Sequence, residues 1–296
     1  MKDFSYWEVY NGFSEGSGRS EKIWLYNPDT QISGLFKFKK DITTTDHISE
    51  CIAYSLANYL KIPCARFELG TYNGREGSFS YNIITSDIKA PSLIEGINYI
   101  NLFYPDYDDE KFMDLTSGNV YSIEMIKRVT NGVFDFARFL NMLVFDFLIG
   151  NSDRHQNNWA VLKSGDNTDF SPLYDNGSSL CSFISDQQAE SYMGKDLVRW
   201  KSLVDTKSKS LVRRTLNDAK RPTHLEILQY IFQNYKAETI GLAQRISTLS
   251  PEKIEEIVEL SSENQLHIIK KKLICKFLNT KIDMLKQVYF SLGDQL

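Results

Sequence analysis

Gly150 to Asn158 reads GNSDRHQNN, and Ser171 to Gly177 reads SPLYDNG. The first stretch sets an acid, a guanidinium, an imidazole and several amides in a loop directly behind the apolar run Val133 to Ile149. Polar groups at that density beside a core cost free energy unless they are used. A single loop Asp is ordinarily a cap or a turn residue. Asp153 and Asn158 five apart, followed by an apolar-Tyr-Asp ending at Asp175, form a more specific pattern. Asn158 and Asp175 on adjacent β-like segments offer hard oxygens of the kind Mg2+ takes alongside water and substrate phosphates. Asp153 is then left to orient or deprotonate a hydroxyl nucleophile.

Outward from this centre, Val133 to Ile149 contains Asp135, Arg138 and Asp146, so it is too short and too polar to cross a bilayer and reads as a buried helix ending at Gly150-Asn151. β-like runs come next at Trp159 to Lys163 and Phe170 to Tyr174. Upstream, Glu21 to Tyr26 and Ile32 to Phe38 flank the turn formers Asn27 to Thr30, which predicts a hairpin. Arg66 to Tyr72 and Gly77 to Ile84 flank Asn73-Gly74, the pair that supplies positive φ to a tight turn. Between the hairpins, Ile48, Ile52, Leu56 and Leu60 recur at helical spacing from an acidic start at Asp46. Beyond Asp196 nearly everything is amphipathic helix, with a capping box at Thr223 and Glu226, a cap and first-turn proline at Ser250-Pro251, and a long run from Lys270 to Phe290. The pattern predicts an α+β protein with a small β-rich N-terminal domain, residues 1–88, and a larger helical one, residues 89–296. The boundary falls at 85 to 92, around Ser86 and Pro91.

Composition narrows the class. The 296 residues carry 34 Lys+Arg against 38 Asp+Glu, a net charge of −4 with no basic block, which argues against a nucleic-acid partner. Cys51, Cys64, Cys181 and Cys275 lie far apart without a C-x-x-C, against a zinc site or a disulfide scaffold, and read as reduced thiols of a cytoplasmic protein. Met1 to Tyr10 has no apolar signal region.

D-R-H-x-x-N followed by P-L-Y-D resembles the HipA-like serine/threonine protein kinases, a bacterial branch of the two-lobed kinase fold; phosphatidylinositol kinases share a similar D-R-H-x-x-N. Leu35 to Lys39 (LFKFK) is similar to the family's strand bearing the ATP-phosphate lysine, and Glu50 sits where its ion-pair partner belongs. The resemblance implies Lys37 and Glu50 as that pair; Lys39 competes, because strand alternation puts it on the same face. It further implies Asp153 as catalytic base, Asn158 and Asp175 as Mg2+ ligands, and Arg154 and His155 as residues shaping the loop. Glu15 to Lys22 (EGSGRSEK) resembles the family's nucleotide loop, with Ser17 and Gly18 contacting ATP and Ser17 or Ser20 as autophosphorylation sites. Asp175-Asn176-Gly177 takes the part of the D-F-G segment, with Asn176 in place of the aromatic.

The resemblance implies an ATP- and Mg2+-dependent kinase acting on a protein, with toxin action on a translation component as one outcome. HipA proteins usually carry an extra N-terminal subdomain. Here the nucleotide loop begins by residue 14, so the resemblance is to the short form, in which that subdomain is absent or supplied by a separate small protein, and a small antitoxin-like protein is a candidate partner. Two alternatives are kept: a lipid or small-molecule kinase of the same fold, and a pseudokinase interaction module. The cationic runs at 195–201, 207–220 and 270–272 are the candidates for a membrane surface, and solvated helix faces explain them more simply, so no membrane partner is expected. Ser86 to Met125 has no assigned role.

Overall fold

The computed structural model describes residues 1–10, 21–41, 43–84 and 91–291. Ser17, Gly18, Ser20 and Ser86 lie outside them. Along the chain run β1 (Lys2–Asp3), β2 (Glu8–Val9), β3 (Lys22–Asn27), β4 (Ile32–Phe38), α1 (Asp46–Tyr59), β5 (Phe67–Tyr72), β6 (Arg75–Tyr81), β7 (Ser92–Glu95), α2 (Gly96–Phe103), β8 (Tyr107–Asp108) and β9 (Met113–Asp114). Then come α3 (Ile123–Val129), α4 (Phe136–Ile149), β10 (Ala160–Ser164), β11 (Asn167–Phe170), α5 (Asp186–Met193), α6 (Leu197–Lys201), a π-helical turn at Ser202–Thr206, α7 (His224–Ser247), α8 (Pro251–Ser262) and α9 (Ile268–Phe290). Contacts group them into two units: Met1–Thr85 with Pro172–Lys195 and Ser250–Phe277, and Ser86–Ser171 with Asp196–Leu249 and Leu278–Leu296. Each unit draws on three separate stretches, and the one bearing Asp175 groups with the N-terminal sheet.

In the first unit six strands form one sheet in the order β1-β5-β6-β4-β3-β2, antiparallel except where β1 meets β5. Alternation of side chains along β4 and β6 sends Phe36, Phe38 and Phe79 to one face, where they close a core with Phe4, Trp7 and Leu25. Phe4 stacks on Phe79 at 4.5 Å between centroids, and Trp7 meets Phe79 edge-on at 4.9 Å. Close approach of these rings requires glycine beneath them: a Cβ on Gly70 would lie 2.5 Å from the Phe4 ring, and one on Gly77 2.7 Å from the Phe36 ring. Asn73 and Gly74 both have positive φ, as the tight β5–β6 turn demands. The opposite face, bearing Lys37 and Ser78, receives α1, which packs on β5, β6 and α8.

In the second unit α4 is buried along nearly its whole length and packs against α7. It begins at Phe136 rather than Val133, because Asp135 caps it by accepting the Ala137 N–H at 3.0 Å. Gly150, at φ 68° and ψ 38°, ends it in the left-handed conformation and turns the chain into the 151–158 loop. β7, β10 and β11 form an antiparallel sheet. The last strand spans Asn167–Phe170 rather than Phe170–Tyr174, since the turn at Gly165 pairs Ser164 with Asn167 and uses up the register there. Leu93 and Ile94, to which the sequence assigned no role, pair with Leu162 and Val161 in this sheet.

Candidate active site

One cluster of the expected residues lies in the first unit. Lys37, near the end of β4, donates to Glu50 Oε1 at 3.1 Å and to Asp175 Oδ1 at 2.8 Å. Glu50 reaches it from α1, which also buries Ile52 and Ala53. Its second oxygen, Oε2, accepts the backbone N–H of Asn176 at 2.8 Å. Burial would lower the Lys37 pKa, but the charges of Asp175 and then Glu50 outweigh it and the net shift is upward. Burial raises the Glu50 pKa; Lys37 pulls it down and Asp175 pushes it up, leaving it raised. Lys37 is therefore a permanent cation, fixed between two acids and able to offer a further N–H to an anionic oxygen. Lys39 is engaged elsewhere, with Glu76 Oε2 at 2.9 Å.

Asp175 sits at φ 55°, a left-handed conformation that Asp tolerates better than most residues, at a cost on the order of 1 kcal/mol. The segment after it is tied down in turn. Asn176 is fully buried, its amide donates to Cys64 Sγ at 3.8 Å, and its carbonyl accepts from Ser179 Oγ at 2.6 Å. A Cβ on Gly177 would stand 3.2 Å from the Asp46 carbonyl oxygen, so glycine lets this segment lie close along the start of α1. Lys270, buried on α9, donates to the carbonyls of Cys181 (2.8 Å) and Ile184.

The other cluster is the 151–158 loop of the second unit. Asp146, in the last turn of α4, is its hub. Arg154 straddles that carboxylate with Nε on Oδ2 at 2.9 Å and Nη2 on Oδ1 at 2.8 Å, and its Nη1 donates to the Asn158 carbonyl at 2.7 Å. Asn151 donates from Nδ2 to Asp146 Oδ1 at 3.1 Å and accepts the Asp153 N–H on its Oδ1 at 3.1 Å. Asn158 donates from Nδ2 to the Asp153 carbonyl at 2.8 Å. Both Asp146 and Arg154 are buried, and a buried pair is maintained only with further hydrogen bonds of this kind. The result is a rigid loop with the Asp153 side chain exposed at its surface. His155 shapes the turn, its carbonyl accepting the Asn158 N–H at 2.9 Å and its Nδ1 the Asn157 N–H at 3.2 Å.

The structure thus brings Lys37, Glu50 and Asp175 together in one unit, and Asp153 and Asn158 together in the other. Asp175 in the first unit offers a carboxylate and Asn158 in the second an amide oxygen, and each by itself is a hard donor of the kind a divalent cation accepts. Among the described residues there is no cluster of three or more His, Cys, Asp or Glu side chains of the kind that would hold a metal unaided. Sequence reasoning missed Asp146 as a site residue. The signal for Asp146 was an acid in the last turn of an otherwise apolar stretch.

The HipA-like C-terminal domain family model matches residues 14–259. The crystal structure of CtkA, a proinflammatory kinase of Helicobacter pylori, is similar with a TM-score of 0.77 at 18% identity, over 98% of this chain and 99% of that one. HipA of Shewanella oneidensis MR-1, solved with HipB and operator DNA, is similar with a TM-score of 0.54 at 11% identity, over 95% of this chain and 66% of that one. No curated protein sequence matches this chain. These likenesses establish a two-lobed, protein-kinase-like α+β fold, with a small β-rich N-terminal lobe and a larger, mainly helical C-terminal one. The chain belongs to the HipA-like C-terminal domain family, the kinases of HipA type.

Proposed function

We propose that the protein is an ATP- and Mg2+-dependent serine/threonine protein kinase. The observation that carries this reading is the strand lysine Lys37 held between the helix carboxylate Glu50 and Asp175, a constellation suited to gripping polyphosphate. Lys37 binds the ATP phosphates, Glu50 fixes the lysine, and Asp175 with Asn158 holds the metal. Bound there, the metal would neutralise charge on the transferred phosphoryl group. Asp153 orients the acceptor hydroxyl and takes its proton, and the backbone bonds of the 151–158 loop keep that carboxylate in place. Residues 1–88 serve as the nucleotide-binding lobe and 89–296 as the catalytic one, with Ser17 and Gly18 at the phosphates.

The acceptor in this reading is a serine or threonine of a protein, including the chain's own Ser17 or Ser20, and a translation component is the cellular target of a toxin of this type. HipA of Shewanella is bound to HipB in its structure, which supports a small antitoxin-like partner here. The proposed action is cytoplasmic; no helix among the described residues is long and apolar enough to cross a membrane. Intact-mass spectrometry of the protein and of Asp153→Ala after incubation with Mg·ATP tests the proposal. Added phosphoryl groups on the wild type alone are expected. Equal addition to the variant removes Asp153 from its role, and no addition to either protein or to candidate acceptors removes protein kinase activity.

A further inference from the structure

We propose that His224 is a positioning residue for the 151–158 loop, locked in a single tautomer by a one-way chain of hydrogen bonds that starts at the buried ammonium of Lys281. Lys281 Nζ lies 3.0 Å from Ser208 Oγ, Ser208 Oγ 2.9 Å from His224 Nδ1, and His224 Nε2 2.7 Å from the Asn151 carbonyl oxygen. Three distant segments meet here: the chain just after the π-helical turn, the first residue of α7, and α9. All three side chains are buried, Lys281 and His224 almost completely.

Direction comes from donor chemistry. An ammonium only donates and a carbonyl only accepts. Ser208 Oγ therefore accepts from Lys281 and gives its one proton to His224 Nδ1, and His224 must carry its own proton on Nε2, aimed at Asn151. The opposite tautomer would face the Nε2 lone pair against the lone pairs of that carbonyl. A doubly protonated ring would be a second buried cation beside Lys281. Burial first, and the charge of Lys281 next, push the His224 pKa down to about 3, so the ring stays neutral through the physiological range. Lys281 is itself held over the Phe147 ring of α4, 4.6 Å from its centroid.

The end of this chain is Asn151, and every polar group of that residue is engaged. Its carbonyl takes the His224 proton, its N–H donates to the Asp146 carbonyl at 3.0 Å, its Nδ2 donates to the Asp146 carboxylate, and its Oδ1 accepts the Asp153 N–H. Asn151 is thus a fixed post from which the backbone of Asp153 hangs. Apolar side chains would fill the volume of Ser208, His224 and Lys281 without their desolvation cost, and what the polar set supplies instead is an N–H delivered to one carbonyl in one direction.

Only the effect on turnover rests on Asp153 being the base, and the test separates the two. In the full chain labelled with 15N-histidine, His224 is expected to show the Nε2–H tautomer, unprotonated between pH 7 and 5. An Nδ1–H tautomer or an imidazolium at pH 6 overturns the proposal. His224→Gln places an amide N–H near the position of Nε2, whereas His224→Asn reaches only the position of Nδ1. Hydrogen exchange at the Asp153 amide is therefore expected to quicken about tenfold or more in His224→Asn and to stay near wild type in His224→Gln. Under the same comparison kcat falls about tenfold or more in the Asn variant, with the Kd for an ATP analogue within about twofold, and the Gln variant recovers it. Equal exchange in the two variants overturns the positioning role. Absent turnover in the wild type sinks the kinase reading and leaves the exchange comparison to decide this one. If His224→Asn does not fold, Ser208→Ala, which removes the hydroxyl that bonds Nδ1 while the Asn151 carbonyl still selects Nε2–H, is read by exchange at the Asp153 amide: quicker exchange supports the chain and unchanged exchange counts against it.

Discussion

The carboxylate of Glu50 accepts the backbone N–H of Asn176 at 2.8 Å on one oxygen while holding Lys37 at 3.1 Å on the other. Helix α1 is thereby tied both to the strand lysine and to the segment that carries Asp175. A Gln at this position has one oxygen for two donors, and its amide N–H2 faces one of them. Glu50→Gln is expected to weaken ATP binding about tenfold, measured by calorimetry with a non-hydrolysable analogue. An unchanged Kd would separate this ion pair from nucleotide binding.

Asp175 is the acid proposed to meet the metal, and it also accepts from Lys37. Asp175→Ala is expected to lower nucleotide affinity in Mg2+ to the value found in EDTA, so that the Mg2+ dependence of the Kd disappears. Retention of that dependence would move the metal to other ligands.

Arg154 and Asp146 are a buried pair, and removal of one partner strands the other charge. Arg154→Met is expected to cost about 3–5 kcal/mol in urea unfolding. Adding Asp146→Leu in the same chain recovers part of that loss, because no buried charge is then left alone. A double variant as unstable as the two single losses added together would contradict this.

His224 gives the folded state a distinct acid sensitivity. Its folded pKa, about 3, lies below the unfolded value of 6.5, so its contribution to stability is fully present above pH 6.5 and is lost as pH falls from there toward 3. Between pH 6.5 and 5.5, before most carboxylates titrate, wild-type stability should fall at up to about 1.4 kcal/mol per pH unit from this group. His224→Gln should lack that slope in urea denaturation over the same interval. Parallel slopes in the two proteins would mean that the ring is protonated in the folded state.

Much of the scaffold is readable from local pattern. The hairpin at Asn73-Gly74, the caps at Thr223 and Ser250, and the left-handed stop at Gly150 each arise from a residue and its near neighbours. The D-x-x-x-x-N loop and the Tyr-Asp beyond it are equally visible, since their spacing is local. Strand β7 was not, because four residues without alternation become a strand only when β10 pairs with them.

Alternation along β4 is enough to say which of its faces bears lysine: Lys37 and Lys39 share one side, away from Phe36 and Phe38. That Lys37 meets Glu50 and Asp175 while Lys39 meets Glu76 is a property of the closed fold. The two lysines differ by about 7 Å of rise along the strand, and only the placement of α1 on the sheet converts that distance into a choice of partner. The same holds for Asp146, Asn151, Ser208, His224 and Lys281. Periodicity assigns a side chain to a face, whereas hydrogen bonds and ion pairs act over about 3 Å, a distance that residues far apart in the chain reach only when the fold has closed.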